Sequence, residues 1–309
     1  MSNQITAKII MDSISSITGT RLTTMELKFH RFILPEFNTH RVFSRNASSS
    51  RAIPVKKLLT QVRDNPMMPV HWGSNKPGMQ AGEELTDNDL HSVQSLWLDH
   101  AKDTVNTVES LDVLHLHKQV ANRLLEPFLP IKVVVTSTEW TNFFALREHK
   151  DAQPEIQELA HKMHLALDLS TPNLLIPDEW HLPYLTAEEI HTMNLTDAQK
   201  ASAARCARVS YLNHDKTECL LTEDLKLFNM LATRPFDDGK GHTMDINDPV
   251  HLSPLEHQAT PINTNHISKY YDKPDITHVS FNGKFGTHSN ELTHWSGNLR
   301  NWIQFRQTL

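Results

Sequence analysis

Thr39-His40-Arg41-Val42-Phe43-Ser44-Arg45-Asn46-Ala47-Ser48-Ser49-Ser50-Arg51 gathers cations, a histidine, an amide and a run of hydroxyls into one short segment. No acidic residue occurs from Phe37 to Gln61, whereas His40, Arg41, Arg45, Arg51, Lys56 and Lys57 all fall in that window. The whole 309-residue chain carries a formal charge of −6. A basic island in an acidic protein points to a bound phosphate or nucleotide more than to bulk nucleic acid, whose binding needs an excess of Lys and Arg. Arginines clamp phosphate oxygens in bidentate fashion, each charge-assisted bond worth roughly 1.5 to 3 kcal/mol. On composition alone, a solvated Ser-rich loop explains the stretch equally well.

The flanking sequence sets this island in an α/β frame. Thr23 to Leu34 alternates apolar residues at Met25, Leu27 and Phe29 and reads as a strand feeding the basic segment. Asp87 is placed to cap a long helix with Leu90, Val93, Trp97, Ala101, Val105, Val108 and Leu111 on its apolar face. A second helix, carrying His115 and His117 near its start, runs through Val120 and Leu124 to about Glu126, where Pro127 and Pro130 stop it. Ile131 to Thr136 is β-branched and reads as a strand. Thr138 then caps a short helix through Trp140, Phe143 and Phe144 with Arg147 in its last turn, and Pro154 opens another. A Pro-containing connector is expected at 170–197, within a single domain spanning 1–309. Helical periodicity returns at Ala198 to Val209 and Glu223 to Leu231, a long loop at Pro235 to Leu255 has the character of a functional one, and Gly297 to Arg306 reads as a short amphipathic helix.

Composition narrows the functional classes. Apolar runs such as Val133 to Val135 are far too short to cross a bilayer, and the first residues have no secretory pattern, so the reading is cytoplasmic with no membrane partner. Cys206 and Cys219 are the only cysteines, which excludes a disulfide framework or a cysteine-rich zinc site within one chain. Cys206 lies among small apolar residues and reads as buried rather than nucleophilic. Among the 20 histidines no metal-ligand spacing recurs, so no metal is expected. The Trp140, Phe143, Phe144 cluster reads as core, whereas Trp295 and Trp302 beside Gly297 could cover a flat heterocycle.

His40-Arg41-x-x-Ser44-x-Asn46-x-x-Ser49-x-Arg51 resembles the signature of the flavin-dependent thymidylate synthases (ThyX), R-H-R-x-x-S-x-N-x-x-S-x-R, at every specified position except the first. Arg123-Leu124-Leu125-Glu126-Pro127 and Asn142-Phe143-Phe144-Ala145-Leu146-Arg147, followed by Ala152-Gln153-x-Glu155-Ile156, are similar to further blocks of that family in family order. Cys206-Ala207-Arg208-Val209-Ser210-Tyr211 and His251-Leu252-Ser253-Pro254-Leu255-Glu256-His257 resemble two more. In the family those two precede the signature, and here they follow it. A circularly permuted member is the simplest account, and permutation is tolerated when termini lie close together at a surface.

The resemblance, covering about half of the chain, implies a ThyX-like mixed α/β fold: a small sheet flanked by helices, with long functional loops. It implies C5 methylation of a pyrimidine deoxynucleotide monophosphate, with FAD as cofactor, methylenetetrahydrofolate and NADPH as cosubstrates, and a homotetramer whose sites draw on several subunits. Carried over by position, Ser49, Ser50 and Arg51 bind the nucleotide, Arg123 is a second contact, and Arg147 polarises the pyrimidine as C5 becomes nucleophilic, with Ser49 and Arg147 the catalytic pair. His40, Arg41, Ser44, Asn46, Asn142, Ser210 and His257 line the flavin.

The sequence departs from the family at Thr39, the signature's missing arginine, at Ala47, where a glutamate is common, and at Thr136 and Thr138, where an asparagine and an arginine usually touch flavin. Asn298 and Arg300 are candidates to compensate. Glu36 replaces a glutamine that contacts nucleotide, and an acceptor-only side chain there favours an amino-bearing base such as cytosine. Use of dCMP, a hydroxymethylated product, or a nucleotide- or nucleic-acid-binding relative without flavin or catalysis therefore remain as alternatives.

Overall fold

The computed structural model describes residues 4–210, 220–232, 253–262 and 295–309, with Ser210 and Trp295 described by backbone alone. Strands β1 (Thr6–Ser15) and β2 (Arg21–His30) form an antiparallel hairpin whose turn places Gly19 at φ +64°, a conformation that disfavours side chains. The strand expected to run to Leu34 stops at His30: Arg31–Ile33 makes a 3-10 turn and helix α1 (Leu34–Asn38) follows, with Pro35 in its first turn. Proline fixes a helical φ and removes a ladder donor, so the chain leaves the sheet there. Strand β3 (Ser44–Ala47) then carries the signature back onto the sheet.

Helices α2 (Val55–Asp64), α3 (Asp87–Val113) and α4 (Lys118–Ala121) precede strand β4 (Pro130–Ser137). Helices α5 (Thr141–Arg147) and α6 (Pro154–Asp168) lead to the short strand β5 (Asn173–Leu175). The sheet runs β3-β4-β2-β1-β5, antiparallel except for the β1–β5 pair. The fold is the expected mixed α/β, with both faces of the two central strands covered. Alternation assigns those faces. Met25, Leu27, Phe29, Ile131, Val133 and Val135 pack against Phe143, Phe144, Ile156, Leu159 and Met163 of α5 and α6. On the opposite face Leu22, Thr24, Val134 and Thr136 meet the part of the chain that follows α6.

The C-terminal part of the chain comprises α7 (Ala187–Thr192), α8 (Leu195–Ala207), α9 (Leu221–Ala232) and strands β6 (Ala259–Pro261), β7 (Trp295–Ser296), β8 (Leu299–Arg300) and β9 (Trp302–Gln304). Arg205 and Arg208 converge on buried Asp224, each at 2.9 Å, tying α9 to α8. β9 pairs with β6, and Trp302 is fully buried, donating from Nε1 to the Thr20 carbonyl at 3.1 Å while Asn301 Nδ2 reaches Thr20 Oγ1 at 2.9 Å.

Several local expectations are corrected. Gly297 to Arg306 is not a helix: Gly297-Asn298 turns a two-residue hairpin between β7 and β8, with Gly297 at φ +58° and too close to Gln304 for a Cβ. Trp302 is core and covers no heterocycle. Asp87 is the first residue of α3, not its cap; Thr86 holds that place without a side-chain bond. Thr138 does not cap α5, whose cap position is Trp140; its Oγ1 accepts from the Arg300 backbone N–H at 3.1 Å. His115 and His117 lie beyond α3, and His117 Nδ1 caps α4. The second helix is α for only four residues and continues as a 3-10 run, Asn122–Phe128, with Pro127 inside it. The 235–255 loop, apart from its last residues, lies outside the described residues.

Across the second face runs a buried polar chain. Ser13 Oγ meets His181 Nδ1 at 2.8 Å, His181 Nε2 meets Thr24 Oγ1 at 2.8 Å, Thr24 meets Thr136 Oγ1 at 2.6 Å, and Thr136 meets His257 Nδ1 at 2.8 Å. His257 Nε2 has no partner among the described residues. Thr24→Val removes the middle link and strands two buried groups. It is expected to cost about 1 to 3 kcal/mol in urea unfolding, and no change in midpoint would refute the chain's role.

Candidate functional site

The signature loop folds around its own cations. Arg45 is not a free phosphate clamp: it donates to the carbonyls of His40 at 3.0 Å, Phe43 at 3.1 Å and Asn38 at 3.1 Å, fixing the turn between α1 and β3. This turn pushes His40 against Phe43 and Phe143, with ring centroids 5.8 and 4.8 Å away. Arg147, in the last turn of α5, donates from Nε to His40 Nε2 at 2.9 Å and from Nη2 to Thr39 Oγ1 at 3.2 Å. Burial, reinforced by the charges of Arg147 and Arg45, lowers the His40 pKa to about 4. The imidazole is therefore neutral at pH 7, an acceptor that orients the guanidinium without adding charge.

Beside this pair opens a cleft of about 290 Å³ lined by His40, Val42, Phe43, Glu139, Asn142, Phe143 and Arg300. Its walls are apolar and aromatic, and its polar groups come from the signature loop, α5 and the C-terminal arm. Arg41 is exposed at the signature loop.

The expected nucleotide residues gather elsewhere. Ser50 donates to Glu126 Oε1 at 2.6 Å, and the same oxygen holds Arg123 Nη1 at 2.7 Å and Arg31 Nε at 3.1 Å. Asn122 donates to the Ser50 carbonyl at 2.8 Å, Ser49 sits in the turn between, and Arg51 is exposed. This cluster lies where β3 ends and β4 begins, and the cleft lies where β3 begins and β4 ends. At roughly 3.3 Å per residue the four residues of β3 separate them by about 13 Å. The Arg123–Glu126 pair was readable as an i,i+3 contact, whereas Arg31 and Glu139 gave no sequence signal.

Three expected flavin residues point into the protein. Ser44 is fully buried and accepts from Gln304 Nε2 at 3.2 Å. His257 is buried in the polar chain, its pKa lowered to about 3 by burial. Asn46 has a buried Oδ1 without a partner among the described residues. Ser210 ends a 3-10 turn and its side chain, like Tyr211 and His251, lies outside the described residues. Cys206 is fully buried, and burial pushes its thiol pKa up, so it is no nucleophile. Among the described residues no His, Cys, Asp or Glu group is arranged to hold a metal, and no helix is long and apolar enough to cross a membrane.

A family model described as thymidylate synthase complementing protein matches residues 2–173, which include the signature, Arg123 and Arg147. The chain belongs to that family. At family level the chemistry is C5 methylation of dUMP. No curated protein sequence matches the chain. Among solved structures, a UMP/dUMP methylase PolB from Streptomyces cacaoi bound with 5-Br UMP is 15% identical with a TM-score of 0.42, covering 53% of this chain and 88% of its own. Thymidylate synthase X (ThyX) from Helicobacter pylori with FAD and dUMP is 17% identical with a TM-score of 0.35, covering 47% and 67%.

Proposed function

We propose that the protein is a flavin-dependent enzyme converting dUMP to dTMP, with the methylene group taken from methylenetetrahydrofolate and NADPH as reductant. The observation that carries this reading is the contact of Arg147 with a neutral His40 at an aromatic-walled cleft built from the signature. With Nε and Nη2 engaged, the guanidinium is fixed in the plane that presents its remaining donors to a pyrimidine edge. A preorganised cation stabilises charge developing on the ring as C5 becomes nucleophilic, without solvent reorganisation.

The cleft suits the ring of a flavin: Val42, Phe43 and Phe143 offer apolar walls, and His40 and Asn142 offer polar contacts at the edges. A flavin bound there supplies reducing electrons close to the pyrimidine. Ser49, Ser50, Arg51 and Arg123 bind the nucleotide phosphate and base. These residues and Arg147 lie at opposite ends of β3, a separation that favours sites shared between subunits of a homotetramer.

The permuted order is also proposed. It is supported by the placement of 208–210 against β3 and β4 and of 253–256 against β3. Both blocks lie outside the family match yet return to the signature strand.

A second reading, use of dCMP, is favoured by Glu36. Its Oε2 is buried without a hydrogen-bond partner among the described residues, an acceptor suited to an amino group. The test is direct. Purified protein is expected to be yellow with flavin absorbance, and incubation with dUMP or dCMP, methylenetetrahydrofolate and NADPH, followed by product mass, identifies both base and methyl or hydroxymethyl transfer. Colourless protein that FAD does not reconstitute would overturn the flavin reading.

A further inference from the structure

Arg300 is the one fixed cation on the described lining of the cleft, and it comes from a part of the chain that the family match does not reach. Its position is rigidly set. Leu299 before it and Trp302 after it are fully buried, Asn301 adopts φ +60° to make the kink, and the Arg300 backbone N–H donates to Thr138 Oγ1. The side chain has a single charged neighbour among the described residues, Glu139, whose Oε1 lies 2.5 Å from Nε. Both atoms are buried, yet neither makes an aligned hydrogen bond. The pair is a charge contact with its directional bonding unfulfilled, in a cleft otherwise lined by His40, Asn142, Val42, Phe43 and Phe143.

A guanidinium whose donors are held at the mouth of an apolar cleft, restrained by one misaligned carboxylate, is arranged to exchange that carboxylate for a better acceptor. We infer that Arg300 is a phosphate-binding residue, taking the pyrophosphate of the flavin dinucleotide, and that Glu139 holds it in place until the cofactor arrives. This rests on the cleft being the flavin site. The planar guanidinium fork matches two phosphate oxygens, and because a pyrophosphate beside Glu139 would be repelled, the phosphate takes the place of that carboxylate on Arg300 rather than sitting next to it. Thr138 fits the arrangement, because its Oγ1 accepts from the Arg300 backbone N–H and holds that residue beside the cleft.

The experiment measures binding by flavin fluorescence, independent of turnover. Wild-type protein, Arg300→Ala, Arg300→Lys and Glu139→Gln are titrated with FAD and with riboflavin, which lacks phosphate, and thermal melting checks their folds. Arg300→Ala is expected to weaken FAD about tenfold to hundredfold, the range of a lost charge-assisted pair, with riboflavin unchanged. Arg300→Lys recovers part of the loss, and Glu139→Gln binds FAD at least as tightly as wild type. Equal loss of FAD and riboflavin, no loss of FAD, or a loss confined to a parallel titration with dUMP would each overturn the assignment. If wild-type protein binds FAD and Arg300→Ala matches it, only the role of Arg300 fails. If wild-type protein binds neither flavin, the flavin reading fails with it.

Discussion

An Arg147→Ala variant is expected to lose about 10²- to 10³-fold in kcat while keeping its flavin absorbance, as when one preorganised donor to a developing charge is removed. The loss falls on kcat rather than KM, because the guanidinium interacts more strongly with the charged transition state than with the neutral pyrimidine. Arg147→Lys restores little, since an ammonium cannot keep both the His40 and Thr39 contacts and still face the ring. Single-turnover measurements of nucleotide product check this directly. An alanine variant with full turnover would remove Arg147 from the chemistry.

Stability is expected to fall steeply as pH drops from 6.5 towards 4. Burial, aided by Arg147 and Arg45, lowers the pKa of His40 to about 4. Burial likewise lowers His181 and His257 to about 3. An unfolded histidine titrates near 6.5, so above that pH neither state binds these protons and the three contribute no pH dependence. Below it the unfolded chain takes up protons that the folded chain refuses, and stability is lost at up to about 1.4 kcal/mol per pH unit for each histidine. Once pH passes below the folded values the loss levels off. His30, also lowered by burial, acts in the same direction. Asp12 behaves differently: burial opposes its charge, but hydrogen bonds from Arg21, Ser170 and Thr23 prevail and hold its carboxyl below the ordinary value, so its contribution is lost only in stronger acid. Urea midpoints measured from pH 8 to 4 test this. A midpoint unchanged between pH 7 and 5 would show that the imidazoles are not held neutral.

From Thr23 to Asp168, β2, α3, β4, α5 and α6 were legible because period-two and period-3.6 patterns act locally, whereas β1, α1, β3 and α2 were not read from the sequence. Ile131 to Thr136 and the helix opening at Pro154 announce themselves through β-branching and through a proline at a helix start. Cap assignments failed at Asp87 and Thr138, because a capping residue type shows only that a bond can form, and tertiary partners claimed Thr138 instead. The C-terminal arm was misread although Gly297-Asn298 carried a hairpin signal; the spacing of Leu299, Trp302 and Ile303 mimics a helical face. Site residues were legible by resemblance, but which of them face a cleft was not. Ser44 belongs to the same signature as His40 and His257 to a second family block, yet the strand carrying Gln304 and the polar chain through Thr136 turn them inward.

The bonds from Asn301 and Trp302 to Thr20 join residues 281 and 282 positions apart. The closure cost of such a join grows only logarithmically with its length, but contacts this far apart in sequence slow folding. A chain with its sheet assembled and its signature strand paired but this arm undocked lacks Arg300 in the cleft. On the role inferred for Arg300, a ligand bound there stabilises the chain with this arm docked, by mass action.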